Sequence, residues 1–183
     1  MTTAHFAFRK KALSELTDSI GCYILADLDN IPIYVGQSVD GIKSRVRRHL
    51  TSARSDIIAN RQVDVWEIAY VWAFPVKTKV QISGLEADLF HHYDSQSQLM
   101  NGSTPKSQPG KIEIPEPSQV IQVIDNEDLK ERLNPEARLP RQSQHYARIV
   151  DHFLVVKQSD QIARSMQAHF ERLQKYHIQL LDT

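Results

Sequence analysis

Gly21-Cys22-Tyr23-Ile24-Leu25-Ala26-Asp27-Leu28-Asp29-Asn30-Ile31-Pro32-Ile33-Tyr34-Val35-Gly36 is the stretch on which the fold turns. Residues 19–28 read as a strand, with Cys22, Ile24 and Ala26 on one face and Tyr23 and Leu25 on the other. Asp29-Asn30 is a turn signal, and Pro32 follows it. Residues 31–35 form a second strand, so the two predict a hairpin. Gly36 and Gly41 bracket a tight loop beyond it.

Working outward, residues 6–16 read as a short helix or an irregular lead-in. Residues 42–53 are helical, with Ile42, Val46 and Leu50 four apart on one face. Residues 63–76 are rich in β-branched and aromatic side chains and predict a long third strand. Residues 80–93 carry the apolar stripe Ile82, Leu85, Leu89 and Phe90 of a helix. From Asn101 to Ser118 the punctuation by Pro and Gly marks a linker or extended segment. Residues 119–124 read as a short strand, and Asp125 or Asn126 caps a brief helix to Leu133. Two clearer helices follow. Tyr146, Ile149, Val150, Phe153 and Leu154 stripe the first. Ser159 caps the second, whose stripe is Ile162, Met166, Phe170 and Leu173.

The 183 residues, 41% apolar and 24% charged, suffice for one good-sized domain or a small domain with an extension. No run approaches the length of a membrane helix, and residues 1–11 lack the apolar core of a signal peptide. One cysteine, Cys22, excludes an internal disulfide framework and any multi-cysteine zinc finger. A cytoplasmic protein with no membrane partner is expected. The formal net charge of zero argues against nucleic-acid binding over the whole surface. The charge is uneven, however. Lys43, Arg45, Arg47, Arg48, Arg54 and Arg61 are opposed only by Asp56. Such a run is usually a solvated helix face, but it also suits a local phosphate contact.

The residues with chemistry fall in a fixed order. Gly21-Cys22-Tyr23 lies on the first strand and Tyr34-Val35-Gly36 ends the second. Arg45 and His49 are four apart on the next helix, Glu86 is on the following helix, and Asn101 opens the linker. Each alone is an ordinary structural residue; their order and the eleven-residue step from Tyr23 to Tyr34 carry the reading. Other constellations fail. His91-His92 are on the wrong face to share a metal with Glu86, Cys22 is a buried small hydrophobe, and no GxxxxGK[ST] loop is present.

In these residues the chain resembles the GIY-YIG nuclease superfamily. Both signature triplets depart from the family pattern at their apolar middle position (Cys22 and Val35), which packs rather than reacts. The resemblance implies a compact α/β module, a three-stranded antiparallel sheet flanked by helices, here with a mainly helical C-terminal extension. It implies a nuclease domain over 1–104, a linker or extended segment over 105–124, and a helical region over 125–183 for DNA recognition or dimerisation. It also implies a metal-dependent endodeoxyribonuclease, restriction-like and sequence-specific. The alternative is a catalytically silent DNA-binding module of the same fold.

The expected site is Tyr23, Tyr34, Arg45, His49, Glu86 and Asn101. Glu86 is the ligand of a single Mg²⁺ or Mn²⁺, a hard cation suited to one carboxylate and several waters. Arg45 brings a permanently charged fork to phosphate oxygens. Tyr23, Tyr34 or His49 is the general base; spacing does not choose among them, and a phenol near pKa 10 needs help from Arg45 or the metal. Asn101 tethers the periphery through its amide. Gly36, Gln37, Ser38, Lys43, Arg47, Arg48 and Arg54 are expected at the DNA backbone. Two cuts on a duplex are most simply made by two subunits, which makes a homodimer attractive.

Overall fold

The computed structural model describes residues 3–52, 55, 58, 61–107, 109–110 and 113–182. Arg54, one of the expected DNA contacts, lies outside them. Helix α1 (Thr3–Ser14) leads into strands β1 (Gly21–Ala26) and β2 (Pro32–Ser38), then helix α2 (Ile42–Thr51). Strand β3 (Tyr70–Pro75), helix α3 (Val80–Asp94) and strand β4 (Gln119–Gln122) follow. Helices α4 (Asn126–Leu133), α5 (Pro135–Val155) and α6 (Asp160–Leu181) complete the chain. No helix among the described residues is long and apolar enough to cross a membrane.

The expected hairpin forms. β1 and β2 are antiparallel, with Tyr23 opposite Gly36 and Leu25 opposite Tyr34. β1 also pairs antiparallel with β3, which makes it the central strand and buries all six of its residues. The sheet has four strands, in the order β2-β1-β3-β4, where three were expected. The fourth is the short strand read over 119–124. Gln119 to Gln122 pair antiparallel with Ala73 to Tyr70, covering an edge of β3 that would otherwise be left open.

The long strand expected over 63–76 is also corrected, since only Tyr70–Pro75 is extended. Upstream, the Asp64 carboxylate accepts from Trp66 N and its carbonyl from Glu67 N, which curls the chain into turns. Side chain–backbone bonds of this kind compete with a ladder whatever the β-propensity of the neighbours. Val63 and Ile68 are buried all the same.

Strand alternation splits the core into two layers. Tyr23, Leu25, Ile33 and Val71 pack under Leu13, Leu16, Val46 and Leu50 of the α1–α2 side. Cys22, Ile24, Val35 and Phe74 pack under Ile82, Leu89 and Phe90 of α3. The predicted caps hold: Asp125 accepts from Asp128 N, and Ser159 from Ile162 N. Helices α5 and α6 pair antiparallel, Arg138 meeting Tyr176 at one end and Tyr146 meeting Phe170 further along.

This helical pair is tied to the sheet by buried ions. Arg172 donates to Asp27 Oδ2 at 2.6 Å and to the Pro32 carbonyl at 2.9 Å. The Arg138 guanidinium donates to Glu67 and, at 2.8 Å, to Asp29. Tyr176 and Gln142 also donate to Glu67, each at 3.0 Å. Glu67 and Arg138 are almost wholly buried. Coulombic attraction and hydrogen bonding to Glu67 hold Arg138 firmly charged, above its ordinary value despite desolvation.

Candidate active site

Tyr23, Tyr34 and His49 converge on the α1–α2 face of the sheet. The Tyr23 and His49 rings are 5.9 Å apart, Tyr34 and His49 6.1 Å, and Tyr23 and Tyr34 6.4 Å. The Tyr23 hydroxyl lies 2.7 Å from His49 Nε2, and His49 Nδ1 lies 2.6 Å from Ser55 Oγ. One imidazole nitrogen therefore faces each hydroxyl, so a neutral ring donates to one and accepts from the other. Tyr23 and His49 are fully buried, while Tyr34 is half-exposed. Sheltering from water strengthens hydrogen bonds of this kind.

Gly36 makes room for the phenol. It faces Tyr23 across the ladder, and a Cβ there would stand 2.4 Å from both Cζ and Oη of Tyr23. No side chain fits while Tyr23 keeps this position. Gly41 has φ 105°, and its Cβ would meet the Asp18 carbonyl at 2.7 Å, so the turn into α2 also needs glycine. Ser38 steadies that turn by donating to the Gly41 carbonyl at 2.7 Å. That bond occupies the hydroxyl proton expected for DNA, and Ser38 is buried.

Arg45 is half-buried one helical turn before His49, on the same side of α2. The basic run around it divides. Arg48 is exposed beside the Arg45 face, whereas Lys43 and Arg47 lie on the far side, against α1. Gln37 is exposed at the end of β2.

Glu86 belongs to the other layer. It sits one turn from Ile82 on the sheet-facing side of α3, half-buried, and burial pushes its carboxyl above the ordinary glutamate range. Burial first, then the Glu86 charge, pushes the Cys22 thiol up. Glu86 therefore stands near the Cys22–Gln37 rung, next to the Tyr23–Gly36 rung but on the opposite face. Among the described residues no group of three or more His, Cys, Asp or Glu side chains could hold a metal. A lone half-buried carboxylate fits a hard divalent ion that keeps most of its waters, and such an ion would offset the cost of burying the charge.

Asn101 works on the backbone. Its Oδ1 accepts from Val35 N at 3.0 Å and its Nδ2 donates to Val35 O at 2.7 Å. It thus completes the open edge of β2 beside Tyr34. Sequence reasoning missed what holds Asn101. Arg164 of α6 donates to the carbonyls of Leu99 and Asn101 at 2.7 and 2.6 Å, and Ser165 donates to Met100 O at 2.9 Å. Ser55, the second partner of His49, was missed as well, since no periodicity marks a lone loop serine.

Residues 19–101 match the family model of the GIY-YIG catalytic domain. No curated protein matches the chain. A domain of this type indicates nuclease activity on DNA and, in the family generally, use of divalent metal ions. Both tyrosines, the arginine–histidine turn of α2, Glu86 and Asn101 all fall inside the matched segment, and this part of the chain belongs to the GIY-YIG nuclease superfamily.

Proposed function

We propose that this chain is a metal-dependent endonuclease that hydrolyses phosphodiester bonds in duplex DNA, restriction-like in cutting at defined sequences. The observation that carries it is the Tyr23–His49 hydrogen bond of 2.7 Å, held open by the bare backbone of Gly36. In this reading the tyrosine and histidine act as one proton-accepting unit. Tyr23 takes the proton of the attacking water as its own hydroxyl proton passes to His49 Nε2, and Ser55 fixes the imidazole from behind. Tyr34, more exposed, orients the water or a phosphate oxygen. Arg45 supplies fixed positive charge to the phosphate in its crowded transition state.

Glu86 would hold one Mg²⁺ or Mn²⁺. When bound, a divalent ion there would supply further positive charge to the phosphate and to the leaving oxygen. Gln37, exposed on the α3 side of the sheet, and Arg48, exposed on α2, suit the DNA backbone. The helical region 125–183 serves as scaffold for 99–101 through Arg164 and as the surface for DNA recognition or a second subunit. The test is cleavage of a plasmid with Mg²⁺ or Mn²⁺ by the wild type and by Glu86→Ala. Nicked or linear product from the wild type alone supports the reading. Tight DNA binding without cleavage across varied substrates would instead identify a silent binding module.

A further inference from the structure

Helix α1 precedes the family segment, and a cleft runs between it and α2. One part, about 250 Å³, is lined by Lys10 and Ser14 of α1 and by Lys43 and Arg47 of α2. A second part, about 320 Å³, reaches Arg9, His49 and Arg132. Phe6 and Thr51 line both. Arg45 lies about 160° around α2 from both Lys43 and Arg47, at about 100° per residue. The Lys10, Lys43 and Arg47 part of the cleft therefore lies on the flank of α2 away from Arg45, while its inner end reaches His49.

Its charge is compensated only in part. Lys43 pairs with the exposed Asp18 at 2.9 Å, while Lys10 and Arg47 form no ion pair among the described residues. At the inner end Arg132 is paired with Asp128. Arg9 is only 4% exposed, yet among the described residues its one hydrogen bond is a long 3.4 Å contact from Nε to the Val123 carbonyl. Burial, and then the neighbouring Arg132 charge, pull Arg9 down to about 10. The Asp128 carboxylate opposes this shift in part. Phe6 stands at the shared wall, 53% exposed. Cations along a groove with an open aromatic face are the equipment for an unpaired nucleic-acid strand, whose phosphates meet the charges while a base stacks on the ring. A duplex keeps its bases stacked inside and offers no face to Phe6.

We propose that the α1–α2 cleft is a second nucleic-acid contact that holds a single-stranded extension of the DNA substrate, with Phe6 under a base and Lys10, Lys43 and Arg47 on its phosphates. This rests on the nuclease reading above and names the form of substrate that site receives. The test compares binding of a blunt duplex with that of the same duplex carrying a single-stranded tail, without divalent ions so that nothing is cut. The tail should improve wild-type affinity about tenfold, and Phe6→Ala should abolish that gain. Lys10→Ala with Arg47→Ala should lower the salt dependence of tailed-DNA binding by about 1.4 in log–log slope, at about 0.7 per lost phosphate contact on a single strand. Phe6, Lys10 and Arg47 are exposed, so the variants should fold. A wild type that binds the blunt duplex but gains nothing from the tail overturns the cleft alone. Unchanged tail affinity and salt slope in the variants do the same. A wild type that binds neither DNA overturns the nuclease reading with it.

Discussion

Tyr23 and Gly36 face each other across the β1–β2 ladder, and the phenol occupies the space that any Cβ at position 36 would need. The hydroxyl that bonds His49 thus owes its place to an absent side chain. Gly36→Ala should push the ring aside and lengthen the 2.7 Å bond. A displacement near 1 Å at a reacting group costs about a hundredfold in rate. The cleavage rate should fall by that order while the circular dichroism spectrum is kept. A variant that cleaves at the wild-type rate would show that the placement of Tyr23 does not matter.

Asn101 stands in for a strand residue at the edge of β2, and alanine there strips two hydrogen bonds from Val35. Asn101→Ala should cost about 1–3 kcal/mol of stability. Faster amide hydrogen exchange at Val35 should accompany the loss. Asn101→Asp keeps an acceptor for Val35 N but faces Val35 O with a second oxygen, so it should not restore stability. Full restoration by aspartate would contradict the assigned bond pair.

Much of this was legible in the sequence. The alternation of Cys22 to Ala26 and the Asp29-Asn30 turn gave the hairpin, and the i, i+4 spacing of Arg45 and His49 gave their shared face. The limits were physical. Nothing local shows that Gln119–Gln122 pairs with Tyr70–Ala73, because strand partners distant in sequence share no short-range signal. Val63 to Ile68 has strand-like composition, yet the side chain of Asp64 bends it into turns. The basic run from Lys43 to Arg48 looks uniform as a list of charges, and helical rotation sends its members to two surfaces. Arg138, Arg172 and Glu67 look like surface charges until three separate segments bring them together.

That buried ion group gives a stability prediction. Glu67 accepts from Arg138, Tyr176 and Gln142. Glu67→Gln removes a buried carboxylate charge next to Arg138, leaving Asp29 and Asp27, and sets an amide donor among donors. Breaking one side of a buried pair costs about 3–5 kcal/mol. Urea denaturation should show a loss of that size. A change within about 0.5 kcal/mol, the usual range of a surface substitution, would mean that the group carries no net weight.

His169 predicts an acid limit. Its Nε2 donates to the Gln62 carbonyl at 2.9 Å, and burial, with the nearby His145 second, pulls it down to about 3. An unfolded histidine titrates near 6.5. The unfolded chain therefore takes up the proton first as pH falls. Stability should be complete above about 6.5 and decline towards 3, by at most about 1.4 kcal/mol per pH unit for this one group. Burial lowers His145 too, and adds in the same direction. His169→Gln keeps a donor for Gln62 and removes the titration, so its denaturation midpoint should depend less on pH across this window. Identical pH dependence in both proteins would remove His169 from the cause.

The most direct measurement is the single-turnover rate of cutting a duplex, followed as Mg²⁺ or Mn²⁺ is titrated, for the wild type and Glu86→Gln. The wild type should show a rate that rises and saturates with the ion. It should need more ion as pH falls towards the raised Glu86 carboxyl, because proton and metal compete for the same oxygens. Glu86→Gln should bind the duplex but cut it at least about a hundredfold more slowly. Wild-type cleavage that persists in chelator, or a Glu86→Gln protein as fast as the wild type, would contradict a metal-dependent site at Glu86.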